Sequence, residues 1–393
     1  MSDQTPLQPG WSMAEPGPAV SAFLATLPDQ PRLLALGEPV HSLDAFPSWR
    51  NRLFRTLVEQ HGFRSIALES DIIAGQQVNA HVTSGEGTLD EVLHTGFSHG
   101  FGARPANREL VRWMSGFNAG RDPADQLQFY GFDAPLENLW AASPRTSLLA
   151  LHLFLTEQLG PLALDRATLE RLCGPAAPWT NPAAGMDPAQ SIGHSDEARQ
   201  LRLLADDLAT LLRTEAPQLM SRPGFWDAQL HARTATGLLR YHAVVADRAP
   251  TRVARMLALR DLMMADNLSA IAEREGKRGP TLVFAHNTHL QRDLSTMKLP
   301  SLGDLPLEWW GAGAHVSARL GQRYAFVAGV LGTGTAEAGP LGRLLEGLEA
   351  QVTLLAARDL PAALTQQRPD GPALTRAETL LLRADGLLLL KGA

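Results

Sequence analysis

Residues 33–42, LLALGEPVHS, run from four apolar positions into a Gly and then set Glu38 three residues before His41. A neutral imidazole with a carboxylate on its far nitrogen is a good general base near neutral pH. The carboxylate fixes the tautomer and stabilises the imidazolium formed when a water proton is taken. Further apolar runs deliver more such groups: RSIALES ends near Glu69, LQFYGFD at Asp133, and TLVFAHNTH at His286 and His289. His41 is the candidate base, with Glu38 or Glu69 as its carboxylate partner. Arg50 falls early in the helix expected after Pro47. A cation there opposes the helix dipole, so an anionic partner or a developing oxyanion would help explain it.

Two other chemistries use overlapping residues. His286 and His289 at spacing three, with His41, Glu38 and Glu69, hold enough nitrogen and oxygen donors for Zn²⁺ or another divalent ion. The residue types alone do not separate a metal-bound water from a His-activated one. GFSHG, residues 96–100, satisfies the Gly-x-Ser-x-Gly hydrolase pattern around Ser98. A nucleophile elbow follows a strand and opens a helix. Here TLDEVLHT before it reads as helix and FGARPAN after it as loop, which weakens Ser98 as a nucleophile. The order Ser98, Asp133, His286 still permits a triad. The remaining histidines, His99 among them, are structural or exposed by default.

The expected course of the chain brings these residues together. Apolar runs at 32–38, 64–70, 127–133, 281–287 and 323–331 have the length and continuity of strands buried on both faces. Between the first two, PSWRNRLFRTLVEQHG places Pro47 at a helix start, a stripe of Leu53, Phe54, Leu57 and Val58, and Gly62 as a stop. That is a right-handed βαβ unit. NRELVRWMSGFNAG, 107–120, is a further helix, and PLGRLLEGLEA and ADGLLLL are read as a late helix and a last strand at the sheet edge. The expected class is α/β: a largely parallel central sheet flanked by helices, with a large helical insertion or lobe. Four long helical patterns fill 136–280, so the organisation reads as a loosely ordered lead-in (1–20), a first part of the α/β core (21–135), the helical lobe (136–280) and a second part of the core (281–393). In open α/β sheets ligands bind beyond the carboxyl ends of the strands. Glu38, His41, Glu69, Asp133, His286 and His289 all fall there.

Composition sets the class. The chain has 393 residues, 45% of them hydrophobic, and a net charge of −6 from 41 acidic and 35 basic residues. That balance argues against nucleic acid as a partner. Cys173 is the one cysteine, so neither an internal disulfide nor a Cys metal cluster is available. No run approaches the ~20 apolar residues of a membrane span, and the N-terminus does not read as a signal peptide. A cytoplasmic protein is expected; oligomeric state is left open.

LALGEPVHSLDAFPSWRNRLFRTLVEQHGFRSIALESD resembles the opening of the erythromycin esterase family. FSHGFGARPANRELVRWMSGFNAG, QFYGFDAP, ARMLALRDLMMADNL and FAHNTHLQR resemble later parts of it, in order, over roughly residues 30–330. The resemblance implies an α/β core with many helices and a hydrolase of macrolide lactones, opening the ring ester with water and inactivating the antibiotic. It implies His41 as base, Glu38 and Glu69 orienting it or the water, and Arg50, His286 and His289 completing the pocket. It also supports the Ser98 loop as part of the pocket rather than an elbow; His289, Asp133 and Ser98 are taken as substrate-binding. No cofactor is required, with a divalent metal as the alternative. The expected partner is a small ester or lactone, or a bound small molecule with no turnover.

Overall fold

The computed structural model describes residues 10–138, 140–298, 306–332, 348–360 and 383–391. Among these residues ten strands follow in chain order: β1 Trp11–Ser12, β2 Leu33–Glu38, β3 Ser65–Asp71, β4 Gln128–Asp133, β5 Thr281–His286, β6 Leu294–Met297, β7 Leu307–Trp310, β8 Tyr324–Gly332, β9 Val352–Ala356 and β10 Gly386–Lys391. Eight form one sheet in the order β1-β9-β10-β8-β2-β5-β3-β4, and β6 and β7 pair separately. From β10 through β8, β2, β5 and β3 to β4 every pairing is parallel. β9 runs antiparallel to β10 and β1. The five expected buried strands are β2, β3, β4, β5 and β8.

Alternation along these strands feeds two cores. On β2, Leu34 and Leu36 pack with Phe46, Leu53, Phe54 and Leu57 from the helix Ala45–His61. Leu33 and Ala35 face the other way, against Leu268 and Ile271 of the helix Arg252–Glu275. Helices thus cover both faces, as continuous apolar strands require. The helix Ala45–His61 begins two residues before Pro47. Proline is accommodated there because first-turn N–H groups have no intrahelical acceptor. Gly62 ends it in the left-handed region, at φ 70°.

The last strand is not at the edge. β10 lies between β8 and β9. Leu388 and Leu390 enter one core and Leu387 and Leu389 the other; a strand apolar on both sides belongs inside a sheet. The helix expected over PLGRLLEGLEA falls mostly outside the described residues. Within 136–280, the four long patterns form the helices Arg145–Leu159, Asp196–Thr214, Phe225–Val245 and Arg252–Glu275. The first three share a separate core around Leu148, Leu201 and Leu239, while the fourth packs its Met264 and Leu268 on the sheet. No helix among the described residues is long and apolar enough to cross a membrane.

The strand order places the site. From β2 the chain steps through β3 to β4 on one side, whereas β5 inserts next to β2 and β8 and β10 extend the sheet on the other. The reversal lies around β2 and β5, whose ends pair Glu38 with His286. Such a reversal opens a crevice at the carboxyl ends of the strands.

Candidate active site

His41 sits on the short loop between β2 and the helix Ala45–His61. Its Nδ1 lies 2.7 Å from Glu38 Oε1 and its Nε2 3.9 Å from Glu69 Oε1. Because the buried Glu38 oxygen accepts, Nδ1 carries the proton and Nε2 is left as the basic nitrogen. The His41 side chain is 39% exposed, whereas those of Glu38 and Glu69 are 5% and 4% exposed. His41 therefore opens to solvent and the two carboxylates stand behind it. Gly37 belongs to this construction: a Cβ there would come within 2.0 Å of Asn287 Oδ1. The Asn287 side chain needs that space to bond both the N–H and the carbonyl of Gly329 on β8.

Glu69 reaches the site through an irregularity in β3. Opposite β4, Leu68 pairs with Gly131 and Asp71 with Asp133, so β3 carries an extra residue there. Such bulges re-aim side chains. Glu69 Oε2 accepts from the backbone N–H of His286 at 2.8 Å. Its Oε1 accepts from Arg260 Nη2 at 3.1 Å and lies 3.4 Å from His289 Nε2. Burial works to raise the Glu69 pKa, but His289, Arg260 and His41 outweigh it and hold the carboxyl below its usual range.

Arg260 and Asp261 are the residues the sequence reading missed. They sit side by side in the helix Arg252–Glu275 and serve different partners. Arg260 Nη2 contacts Asp133 Oδ2 at 2.6 Å as well as Glu69. Despite burial, Asp133 and Glu69 raise the Arg260 pKa, and Arg260 and His99 lower that of Asp133. Asp261, fully buried, accepts from His289 Nδ1 at 2.8 Å, Trp309 Nε1 at 2.6 Å and Ala312 N at 2.8 Å. Burial opposes the charge on His289, yet Asp261 and Glu69 prevail and push its pKa up to about 9. His289 is therefore an imidazolium near neutral pH. A charged Arg-Asp pair inside the apolar run RMLALRDLMM was the available signal, since buried charges are paired.

His286 is placed beside His41, ring centroids 5.2 Å apart. Its Nε2 donates to the Pro39 carbonyl at 2.8 Å and its Nδ1 accepts from Thr288. Burial lowers its pKa, so the ring is neutral and ties down the loop carrying His41. Arg50 is 1% exposed and lies behind the site, its Nη2 donating to Asn51 Oδ1 at 2.7 Å and its guanidinium over the Phe284 ring. Burial lowers its pKa to about 9, with Glu38 pulling the other way. Glu38 and Glu109 favour its charge from a distance, with no carboxylate in ion-pair contact with Arg50 among the described residues. A cavity of about 20 Å³ is lined by Glu38, Arg50, Glu69 and Asn107. Glu38 Oε2 and Asn107 Oδ1 are buried without a partner.

Ser98, Asp133 and His286 do not form a triad. Ser98 Oγ accepts from Asp71 N at 2.9 Å, and its own N–H donates to Ser70 Oγ at 2.9 Å. Ser98 therefore holds its loop against the end of β3. Asp133 is committed to Arg260 and His99. His99 adopts the left-handed region at φ 56° and spans Asp133 at 3.3 Å and Glu137 at 3.1 Å. Phe101 stands against both His41 and His99, centroids 5.4 and 5.6 Å away. A strained residue between two carboxylates marks a constructed corner of the site.

The sequence profile of the erythromycin esterase family matches residues 58–359. The chain belongs to the erythromycin esterase family. The matched span includes Glu69, Asp133, Arg260, Asp261, His286 and His289, while Glu38, His41 and Arg50 precede it. Three solved structures resemble this erythromycin esterase family member in fold. A Bacillus cereus protein is 16% identical with TM-score 0.67, covering 91% of this chain and 88% of that one. A succinoglycan biosynthesis protein is 15% identical with TM-score 0.63, over 95% and 89%. The erythromycin esterase EreC, as a mutant in its open conformation, is 19% identical with TM-score 0.64, over 94% and 93%. The family supports a hydrolase of this type acting on a small molecule. Among the described residues no group of three or more His, Cys, Asp or Glu is disposed to hold a metal ion. Both His286 nitrogens and His289 Nδ1 already bond protein atoms. This arrangement does not fit a metal centre.

Proposed function

We propose that the protein is a carboxylic ester hydrolase that opens a macrolide lactone or related ester with water activated by His41. The observation that carries this reading is the pair of contacts on one imidazole: Glu38 at 2.7 Å on Nδ1 and Glu69 at 3.9 Å from Nε2. Nε2 accepts a proton from water while the water oxygen attacks the ester carbonyl. The resulting tetrahedral oxyanion collapses, the C–O bond to the alcohol breaks, and His41 returns its proton to the departing alkoxide. The carboxylate of Glu38 stabilises the intervening imidazolium. Glu69 orients the water.

The developing negative charge falls in the field of two fixed cations, Arg260 and the His289 imidazolium. Preorganised positive groups at the site of charge development are an effective source of catalysis. No covalent intermediate forms on the enzyme, and the products are an alcohol and a carboxylic acid that gives up its proton to solvent, joined in one molecule when the substrate is a lactone. Action on a macrolide would inactivate it, consistent with a role in antibiotic resistance and a cytoplasmic location.

The test is incubation of the purified protein with macrolides, simple lactones and acyclic esters, followed by mass spectrometry for the gain of one water. Ring-opened macrolide formed by wild type and not by His41→Ala supports the reading. A panel with no hydrolysed member, or hydrolysis undiminished in His41→Ala, overturns it.

A further inference from the structure

Away from the His41 cluster, a cavity of about 360 Å³ lies among the helices Asp196–Thr214, Phe225–Val245 and Arg252–Glu275. Its wall is partly apolar, with Leu212, Leu262 and Met263, and carries three guanidinium groups, Arg213, Arg233 and Arg240. Among the described residues none of these three has a carboxylate within ion-pair distance. Asp206 and Asp266 also line the cavity, and Asp266 already pairs with Arg319 at 2.8 Å.

Arg233 is the decisive residue. Its Nε donates to Asn267 Oδ1 at 3.3 Å, and its Nη2 is buried with no acceptor. Burial lowers its pKa to about 10, with Asp266 and Glu273 opposing only in part. Nη2 is closed to solvent, so what Arg233 offers the cavity is a guanidinium charge with no carboxylate within ion-pair distance. Guanidinium groups suit planar two-oxygen anions. With Asp266 taken up by Arg319, the wall sets Arg213, Arg233 and Arg240 against Asp206, a surplus of positive charge that favours an anionic head over a neutral or cationic one.

We infer that this cavity is a second ligand site, taking a small amphipathic carboxylate whose head meets Arg233 and whose apolar body lies against Leu212, Leu262 and Met263. The site is separate from the His41 cluster. Its wall nevertheless reaches Ala134, next to Asp133, and Asn267 joins it to the end of β4 by donating to the Phe132 carbonyl at 3.1 Å.

Isothermal titration of the full chain with octanoate, octyl phosphate, octanol and octyltrimethylammonium tests the inference. Octanoate should bind wild type and His41→Ala equally, which separates this site from the proposed active site. Octyl phosphate should bind more weakly, and the alcohol and the ammonium not at all. Arg233→Met should weaken octanoate at least ~10-fold. Should that variant fail to fold, Arg213→Gln with Arg240→Gln, both at exposed positions, should weaken it measurably in its place. Absence of octanoate binding, equal binding of octanol, tighter binding of octyl phosphate, or octanoate affinity unchanged in the folded variants would each overturn the inference.

Discussion

Glu38 Oε1 lies 2.7 Å from His41 Nδ1, three residues along the same chain, across the loop where β2 gives way to the helix Ala45–His61. The contact orients the ring so that its second nitrogen approaches Glu69 on a different strand. One imidazole is thereby held by a local acid and aimed at a distant one.

Removing the base should remove the chemistry. His41→Ala should lower kcat by ~10²–10⁴, the usual contribution of a positioned general base. The ring is partly exposed, so the fold should survive, as circular dichroism would show, with a lower denaturation midpoint because the buried Glu38 carboxylate loses its partner. Near-normal turnover by the folded variant would rule His41 out as the base.

Glu38→Gln keeps a hydrogen-bond acceptor near Nδ1 but removes the charge that stabilises the imidazolium. A large part of that same ~10²–10⁴ should be lost, mainly in kcat. An equal loss confined to KM would mean that Glu38 serves binding and not proton transfer. The variant also removes one of the two nearby carboxylates whose field favours the charge on Arg50, at 1% exposure, so its denaturation midpoint should fall as well.

Much of the frame could be read before any coordinates. Buried apolar runs ending in polar residues located β2, β3, β4, β5 and β8, and the carboxyl-end rule then gathered Glu38, His41, Glu69, Asp133, His286 and His289. Less legible was what each side chain touches. Arg50 looked like a cation facing a pocket, yet a buried position behind Glu38 is invisible in the local pattern. Arg260 and Asp261 lie far along the chain on a helix with the periodicity of a packing element, and only the tertiary fold brings them to Glu69 and His289. The interior place of β10 follows from pairing partners on both sides, which a short apolar run does not reveal.

Arg260→Met should destabilise the protein more than it perturbs any surface. It strands Asp133 and Glu69, which are 0% and 4% exposed, without their shared cation. Breaking a buried pair by removing one partner costs roughly 3–5 kcal/mol. The carboxylates would then be easier to protonate, so the deficit should be smaller at pH 5 than at pH 8. Urea denaturation at the two values measures it, and a deficit independent of pH would contradict the ion-pair account.

Ser98→Ala distinguishes water activation from an acyl-enzyme route. The hydroxyl accepts from the Asp71 N–H, so its loss should cost about 1–3 kcal/mol of stability while leaving most activity. Activity collapsing in a well-folded Ser98→Ala, or a burst of alcohol release in wild type, would favour the nucleophile instead.

His289 gives the pH dependence its sign. Its folded pKa, about 9, exceeds the ordinary value of 6.5. The native state therefore holds this proton more tightly than the unfolded chain. The resulting stabilisation is complete below about pH 6.5 and is lost as pH rises through about 9. Stability should decline across that window in wild type and much less in His289→Asn. If the imidazolium also steadies the oxyanion, kcat should fall along an alkaline limb near the same upper value, and His289→Asn should lower kcat at neutral pH and abolish the limb. A limb that persists unchanged in the variant would assign the titration to another group.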